Sequence, residues 1–574
     1  MQGRKNNFPW FKYYNNYNLD TSKMENSIYD TLKKSVQKNK DKICTNYYGK
    51  TLTYNELLNK IDECANAFIN IGVKKGEYVT ICLPNTQESL ICIYALNKIG
   101  AISNLIHPLC SEEEIKKQIK LVDSKYLIIA DYILNKTKNI KEELNLRKII
   151  FIPILENQKK VSFIKYGLLF KTKKFKILDQ NIISYASFIL KSKESINQKE
   201  KPKKDDIAII LYSSSMSYNP KGVTLTNENI NTLVECEKLL DKDIENRTII
   251  TTLPIYTSFG LVYLFHLTLA VGGFLNIIQS LNLKNLDKQI KKYKPNTLLM
   301  TPTMLNLIYK SKILKKENMS YINKVICTGE YLSEENKLKY EKFLKKHNVD
   351  CGIEVIYGLT ETSSKVTYMP QNEKNDSSIG IPIPGTIIKI CKVNTEEECK
   401  KNEEGEICIS SKSVMKFYIN NENSTKKVLK RHNDGKIWLH SGDIGYMDKN
   451  GFIYFKSKMK RMIISEGQNI YPKQIEEIIK RHPYVENCII VGVPHPYKKE
   501  VVKAYIVLKK TIELTPEVKK SIKEHCEKNI ASYALPYAYG YRKELPKNKI
   551  GKVAYQELIN IYDEEENIWN QVMK

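Results

Sequence analysis

From about residue 50 to residue 390, apolar positions alternate between two periods. Leu52–Ile71 repeats its apolar residues at helical spacing and ends near Gly72. Tyr78–Leu83 is a short continuous apolar run, read as a buried strand. Glu88–Ile99 reads as a helix stopped at Gly100, and Ala101–Ile106 as the next strand. Strands alternating with helices at this spacing predict α/β layers with largely parallel sheets. A polar connector over 196–206 precedes the strand Ile207–Leu211, and another apolar strand spans Ile353–Ile356. From about 380 to 456 the pattern changes to short alternating strands, Ile387–Val393, Gly405–Ser410 and Gly451–Phe455, which predicts a small β-rich subdomain. A charged break over 456–461 is followed by a strand, a Gly-Gln-Asn turn and a helix Lys473–Arg481. The expected fold is therefore a large N-terminal α/β domain of layered mixed sheets and helices carrying the β-rich subdomain, 1–460. A small hinged C-terminal α+β domain, 461–574, completes it.

The stretch 259–281 carries no formal charge and is long enough to cross a bilayer. Gly272-Gly273 interrupts it, and Asn276 and Gln279 lie in its second half. A buried helix, a Gly-Gly turn and a buried strand are the expectation. The basic-apolar stretch 163–177 has two readings, peripheral contact with an anionic membrane surface or a solvated insertion.

The 574 residues are 42% hydrophobic and 10% aromatic, an ordinary globular composition. The formal charge of +27 comes from lysines scattered through the chain. They form no basic arm, and no nucleic-acid-binding signature accompanies them, so no nucleic-acid partner is expected. Thirteen cysteines include no C-x-x-C pair, and Cys391, Cys399 and Cys408 lack metal-site spacing. They read as reduced core residues. With no apolar secretory core near the start, a cytoplasmic location is expected.

Four stretches carry chemistry. Leu211–Thr226, LYSSSMSYNPKGVTLT, places a hydroxyl-rich turn and Lys221 at a strand end, where hydroxyls and backbone N–H groups can meet phosphate oxygens. The Walker pattern is absent. Tyr357-Gly358-Leu359-Thr360-Glu361-Thr362 offers an aromatic for a purine, a hydroxyl for a phosphate and a hard carboxylate for Mg²⁺. Trp438-Leu439-His440-Ser441-Gly442-Asp443 ends in a carboxylate suited to vicinal ribose hydroxyls. Leu545 to Lys552, LPKNKIGK, places a lysine on a glycine turn. Singly, each is equally an ordinary polar turn or surface lysine.

In this order the four resemble the adenylate-forming acyl-activating enzymes, the AMP-binding superfamily that includes acyl-CoA synthetases. The match extends through Leu52–Leu57, Leu83-Pro84-Asn85, Ser378-Ile379-Gly380, Glu466–Pro472 and Val491–Pro494. The Pro9-Trp10 opening and Lys460–Ile463 resemble bacterial fatty-acyl-CoA ligases in particular. The resemblance implies ATP, Mg²⁺ and coenzyme A as cofactors. A carboxylic acid, most simply a fatty acid, would become an acyl-adenylate and then a thioester. Carried over by position, Ser213, Ser214, Ser215, Ser217 and Lys221 would hold phosphates. Thr360 would bind phosphate and Glu361 Mg²⁺. Tyr357, Gly358, Gly329 and Glu330 would flank adenine. Asp443 and Lys458 would meet the ribose. Tyr256, Thr257, Phe259 and Gly260 would line the acid site. Lys552 would serve adenylation, and Arg461 would be the hinge.

Three departures stand out. Ser215 and Tyr218 replace glycines of the phosphate loop, where glycine allows positive φ and close approach. Lys458 replaces an arginine and loses its planar fork. Thr257 stands where many acyl-CoA ligases carry histidine. Two alternatives stay open: a loader of a separate acyl carrier protein, and a catalytically impaired nucleotide- or acyl-binding paralogue.

Overall fold

The structure is a computed structural model of the full chain. It describes residues 8–14, 26–136, 138–154, 181–190, 201–213, 221–279, 285–370, 373, 375, 377–465, 468–495, 499–530, 534–547 and 553–559. Two seven-stranded sheets form the large domain. The first runs from Ile353–Val355 through Lys324–Cys327, Thr297–Met300, Thr248–Ile250 and Phe274–Ile277 to Ile43–Tyr47, all parallel, and ends on the antiparallel strand Lys50–Thr53. The second orders Ile182–Ser184, Lys148–Ile152, Tyr126–Ala130, Tyr78–Cys82, Ile102–Leu105 and Ile207–Tyr212 in parallel, with Gly222–Thr226 antiparallel at its edge. Their strands are almost continuously apolar because both faces are covered by helices and by each other.

The helix expected from Leu52 begins instead at Tyr54. Leu52 and Thr53 belong to the strand, where Thr53 caps the helix Tyr54–Asn70 reciprocally with Glu56. The uncharged run 259–281 takes the expected form. A wide π-helical segment Phe259–His266 continues as Leu267–Ala270, turns at Gly272 with φ of 84°, and enters the strand Phe274–Ile277. Among the described residues, no helix is long and apolar enough to cross a membrane. The stretch 163–177 lies outside the described residues.

The β-rich subdomain is a five-stranded antiparallel sheet of Ile387–Cys391, Gly405–Ser410, Ile437–Met447, Leu429–Arg431 and Ile453–Lys458. The charged break expected at 456–461 is a strand as far as Lys458, followed by a 3₁₀ turn Met459–Arg461. Pairing of Lys458 with Asp443 across the ladder outweighs the polar composition. Beyond it lies a small domain with its own apolar core, built from Ile463, Ile475, Ile479, Val502, Ile506, Ile522 and neighbours. Its sheet packs the helices Pro472–Lys480 and Pro516–Asn529. Of the Gly-Gln-Asn turn, Gln468 and Asn469 are in the strand Gln468–Ile470.

Candidate active site

The phosphate-loop candidates sit at the edge of the second sheet. Ser213 is buried, and its backbone N–H donates to the Lys221 carbonyl at 3.1 Å, which closes the base of the loop. Ser214, Ser215, Ser217 and Tyr218 lie outside the described residues, as does Lys552. The strand Gly222–Thr226 leaves the loop and is clasped by a segment two hundred residues downstream. Thr224 N–H donates to Phe417 O at 3.1 Å, and Ile419 N–H to Gly222 O at 2.8 Å. Only glycine permits this approach, since a Cβ on Gly222 would lie 2.6 Å from the Ile419 side chain.

The same segment grips the Tyr357–Thr362 turn. Met415 N–H donates to the Glu361 carbonyl at 2.7 Å, and Ser363 Oγ to the Ser413 carbonyl at 2.8 Å. The Tyr418 hydroxyl donates to Glu361 Oε1 at 2.7 Å, while Lys221 Nζ stands 4.7 Å from the centre of the Tyr418 ring. Burial and the carboxylate push the Tyr418 phenol upward, so it remains a donor. Tyr418 thus links the loop lysine to Glu361. No sequence pattern pointed to it, because a single tyrosine 57 positions from its partner leaves no spacing to read. Among the described residues Glu361 makes no ion pair. Its second carboxylate oxygen has the hard-donor character that Mg²⁺ requires.

Behind this turn lies a buried ion cluster. Lys365 Nζ is 2.8 Å from Glu237 and 3.3 Å from Glu354. Tyr263, on the π-helical segment, donates its hydroxyl to Glu237 at 3.0 Å. Burial alone would disfavour the Lys365 charge, but the two carboxylates outweigh it and hold the ammonium well above its ordinary range. Gly358 packs so tightly here that a Cβ would sit 1.9 Å from the Ser364 carbonyl oxygen.

Asp443 is buried and bridges two of the expected partners. It accepts from the Tyr357 hydroxyl at 2.8 Å and from Lys458 Nζ at 2.7 Å. Lys458 therefore retains a charged contact without the fork of arginine. Gly329 turns with φ of 84°, and the exposed Glu330 accepts from Thr303 Oγ1 at 3.2 Å.

At the candidate acid site, the Thr257 hydroxyl donates to Pro254 O at 2.7 Å and accepts from Gly260 N–H at 3.2 Å, so it caps the π-helical segment. Gly260 is obligatory there, a Cβ being 1.8 Å from Pro254 O. Tyr256 is buried with its ring 4.7 Å from that of His107, and Phe259 is partly buried beside the core. His107 supplies an imidazole next to this loop from a different sheet, a neighbour invisible in the sequence.

Arg461 faces the small domain. It bonds Glu476, donates to Ile490 O at 3.2 Å and lies 5.4 Å from the Tyr555 ring centre. Lys473, also unanticipated, stands on the same helix as Glu476 and crosses the seam between domains. Its Nζ is 3.3 Å from the centre of the Tyr331 ring and 5.7 Å from that of Phe455. Loss of water pushes its amine down to about 7, although Glu476 and Glu477 oppose the shift.

Comparison with known proteins shows the family and the fold. The AMP-binding enzyme model matches residues 32–419, and the AMP-binding enzyme C-terminal domain model matches 474–552. The chain is 30% identical to a long-chain-fatty-acid–CoA ligase of Bacillus subtilis strain 168 over 576 residues, covering 99% of each. ATP-bound MatB from Rhodopseudomonas palustris superposes with a TM-score of 0.79 at 19% identity, over 94% of this chain and 99% of that one. The anthranilate CoA ligase AuaEII in complex with anthranoyl-AMP superposes at 0.78 with 19% identity, over 93% and 97%. The chain therefore belongs to the AMP-binding enzyme family, within the adenylate-forming acyl-CoA synthetase superfamily.

Proposed function

We propose that the protein is an AMP-forming ligase that joins a fatty acid to coenzyme A. The observation that carries this reading is the junction of Lys221, Tyr418 and Glu361 beside the Tyr357–Asp443–Lys458 cluster. It supplies a cation, a hard carboxylate and a buried ribose acceptor in one place. In this reading, Glu361 and Thr360 hold Mg²⁺ and a phosphate. Asp443 and Lys458 fix the ribose, and Tyr357, Gly358, Gly329 and Glu330 wall the adenine. Bound Mg²⁺ would offset negative charge on the phosphates. Lys221, Ser213 and the other loop serines position the phosphates, and Lys552 brings charge to the reacting carboxylate. The acid enters along Tyr256, Thr257, Phe259 and Gly260.

The choice of a fatty acid is supported by the full-length relationship to long-chain-fatty-acid–CoA ligases and by the uncharged character of the Tyr256–Gly260 loop. Coenzyme A, rather than a carrier protein, is supported by the same relatives. Division at 460/461, with Arg461 as hinge, is supported by its bonds to Glu476 and Ile490 in the small domain. Thirteen free cysteines support a reducing, cytoplasmic setting. The test is thioester formation, followed by mass spectrometry, with acids from acetate to palmitate and with aromatic acids including anthranilate. Long-chain acyl-CoA is the expected product. Exclusive turnover of an aromatic or short acid would refute the substrate class, and exclusive loading of acyl carrier protein would refute the acceptor.

A further inference from the structure

The cysteine spacing shows no metal motif, yet the β-rich sheet gathers a cluster of possible ligands across two strands. Cys408 lies opposite His440 in the ladder, and Glu406 opposite Cys391. These side chains therefore share one face. Glu406 Oε2 is 2.7 Å from His440 Nδ1, and Cys408 Sγ is 3.6 Å from the same nitrogen. The ligand atoms of Glu406, Cys408 and His440 all lie within 4.8 Å of one another, and all three residues are buried. The Cys391 thiol, on the neighbouring strand, points to the Glu396 carbonyl at 3.9 Å.

We propose that Glu406, Cys408 and His440 form a three-ligand binding site for a thiophilic divalent cation of the zinc type, with the fourth position left to solvent. In a tetrahedral zinc site, ordinary bond lengths place sulfur and nitrogen ligands about 3.6 Å apart, and nitrogen and oxygen about 3.4 Å apart. The sulfur–nitrogen pair already has this separation. The carboxylate needs a shift of about 0.7 Å, within reach of a side-chain rotation.

A second observation favours a ligating imidazole. His440 turns Nδ1 to the cluster and rests Nε2 on His432 Nε2 at 2.9 Å. Histidines that hold metals have their other nitrogen bonded in this way, which fixes tautomer and ring angle. The His432 ring is itself fixed by stacking on Trp438 at 5.6 Å. Thiolate and imidazole select zinc-type ions over Mg²⁺, so this site is chemically distinct from the oxygen donor at Glu361. It is also coupled to the nucleotide site. Glu406 Oε1 accepts the Gly442 N–H at 2.9 Å, immediately before Asp443.

The test uses full-length protein, reduced, stripped with a chelator and titrated with Co²⁺ and then Zn²⁺. One equivalent of Co²⁺ should bind with a thiolate-to-metal charge-transfer band, and Zn²⁺ should displace it. Cys408→Ser should abolish the band, because Cys408 is the one thiolate of the cluster, and Cys391→Ser should leave it in place. His432→Ala should weaken affinity by roughly 10–100-fold. Cys526→Ser, a buried cysteine of the small domain, should change nothing. Substoichiometric uptake by the wild-type protein, or a band that survives in folded Cys408→Ser, would overturn the proposal. Wild-type stoichiometry decides the matter even where a variant fails to fold.

Discussion

Tyr418→Phe removes one hydroxyl and leaves the ring beneath Lys221 in place. The lost contact is a 2.7 Å hydrogen bond to an ionised carboxylate. Bonds of that kind contribute about 1.5–3 kcal/mol. Fully expressed in the adenylation transition state, this equals roughly a 10- to 100-fold fall in kcat/KM. Tyr418→Ala also removes the cation–ring contact, worth about 0.5–1 kcal/mol, or a further ~2- to 5-fold. The assay is acid-dependent ATP–pyrophosphate exchange across a Mg²⁺ series. Because the hydroxyl orients the proposed Mg²⁺ ligand, the Phe variant should need more Mg²⁺ to reach its half-maximal rate. Exchange within two-fold of the parent, at an unchanged Mg²⁺ requirement, would refute the positioning role of Tyr418.

Lys552→Ala should lower adenylation by roughly 10²–10³-fold, as removal of one preorganised charge-stabilising group does. Thioester formation from supplied acyl-adenylate should be far less affected, and stopped-flow measurement of the two half-reactions separates them. Lys365→Met should destabilise the large domain by about 3–5 kcal/mol, because Glu237 is left buried without its cation. Denaturant titration reads this. Lys473 links domain docking to pH: its amine is held at about 7 when docked, against 10.5 in the open. Between these values the undocked state binds the extra proton, so docking strengthens as pH rises from 7 towards 10.5, by up to ~10-fold per unit, and levels off below 7. Fluorescence transfer between domain labels should show this slope in the parent and lose it in Lys473→Met.

What the sequence made legible were contiguous runs. Tyr357–Thr362 and Trp438–Asp443 could be read because their functional groups occupy neighbouring positions in the chain. The strand-and-helix order of the large domain was legible for the same reason, periodicity being local. Contacts made by the ladders were not. Tyr418 reaches Glu361, His107 reaches Tyr256 and Cys408 meets His440 only through the sheet pairings that bring distant segments together. Thr53 and Lys458 were misread for a related reason. Each is polar, and a cap or a cross-strand partner decides its conformation. Ser215, Tyr218 and Lys552 lie outside the described residues, so the bearing of the glycine replacements rests on activity.

The most direct measurement is pyrophosphate release from ATP and Mg²⁺ with acids from acetate to palmitate, plus aromatic and amino acids, each with and without coenzyme A. Release that depends on a long-chain acid, with AMP and acyl-CoA accumulating when coenzyme A is present, is the predicted result and shows that Ser215 and Tyr218 are tolerated. Folded protein that releases no pyrophosphate with any acid would contradict the account.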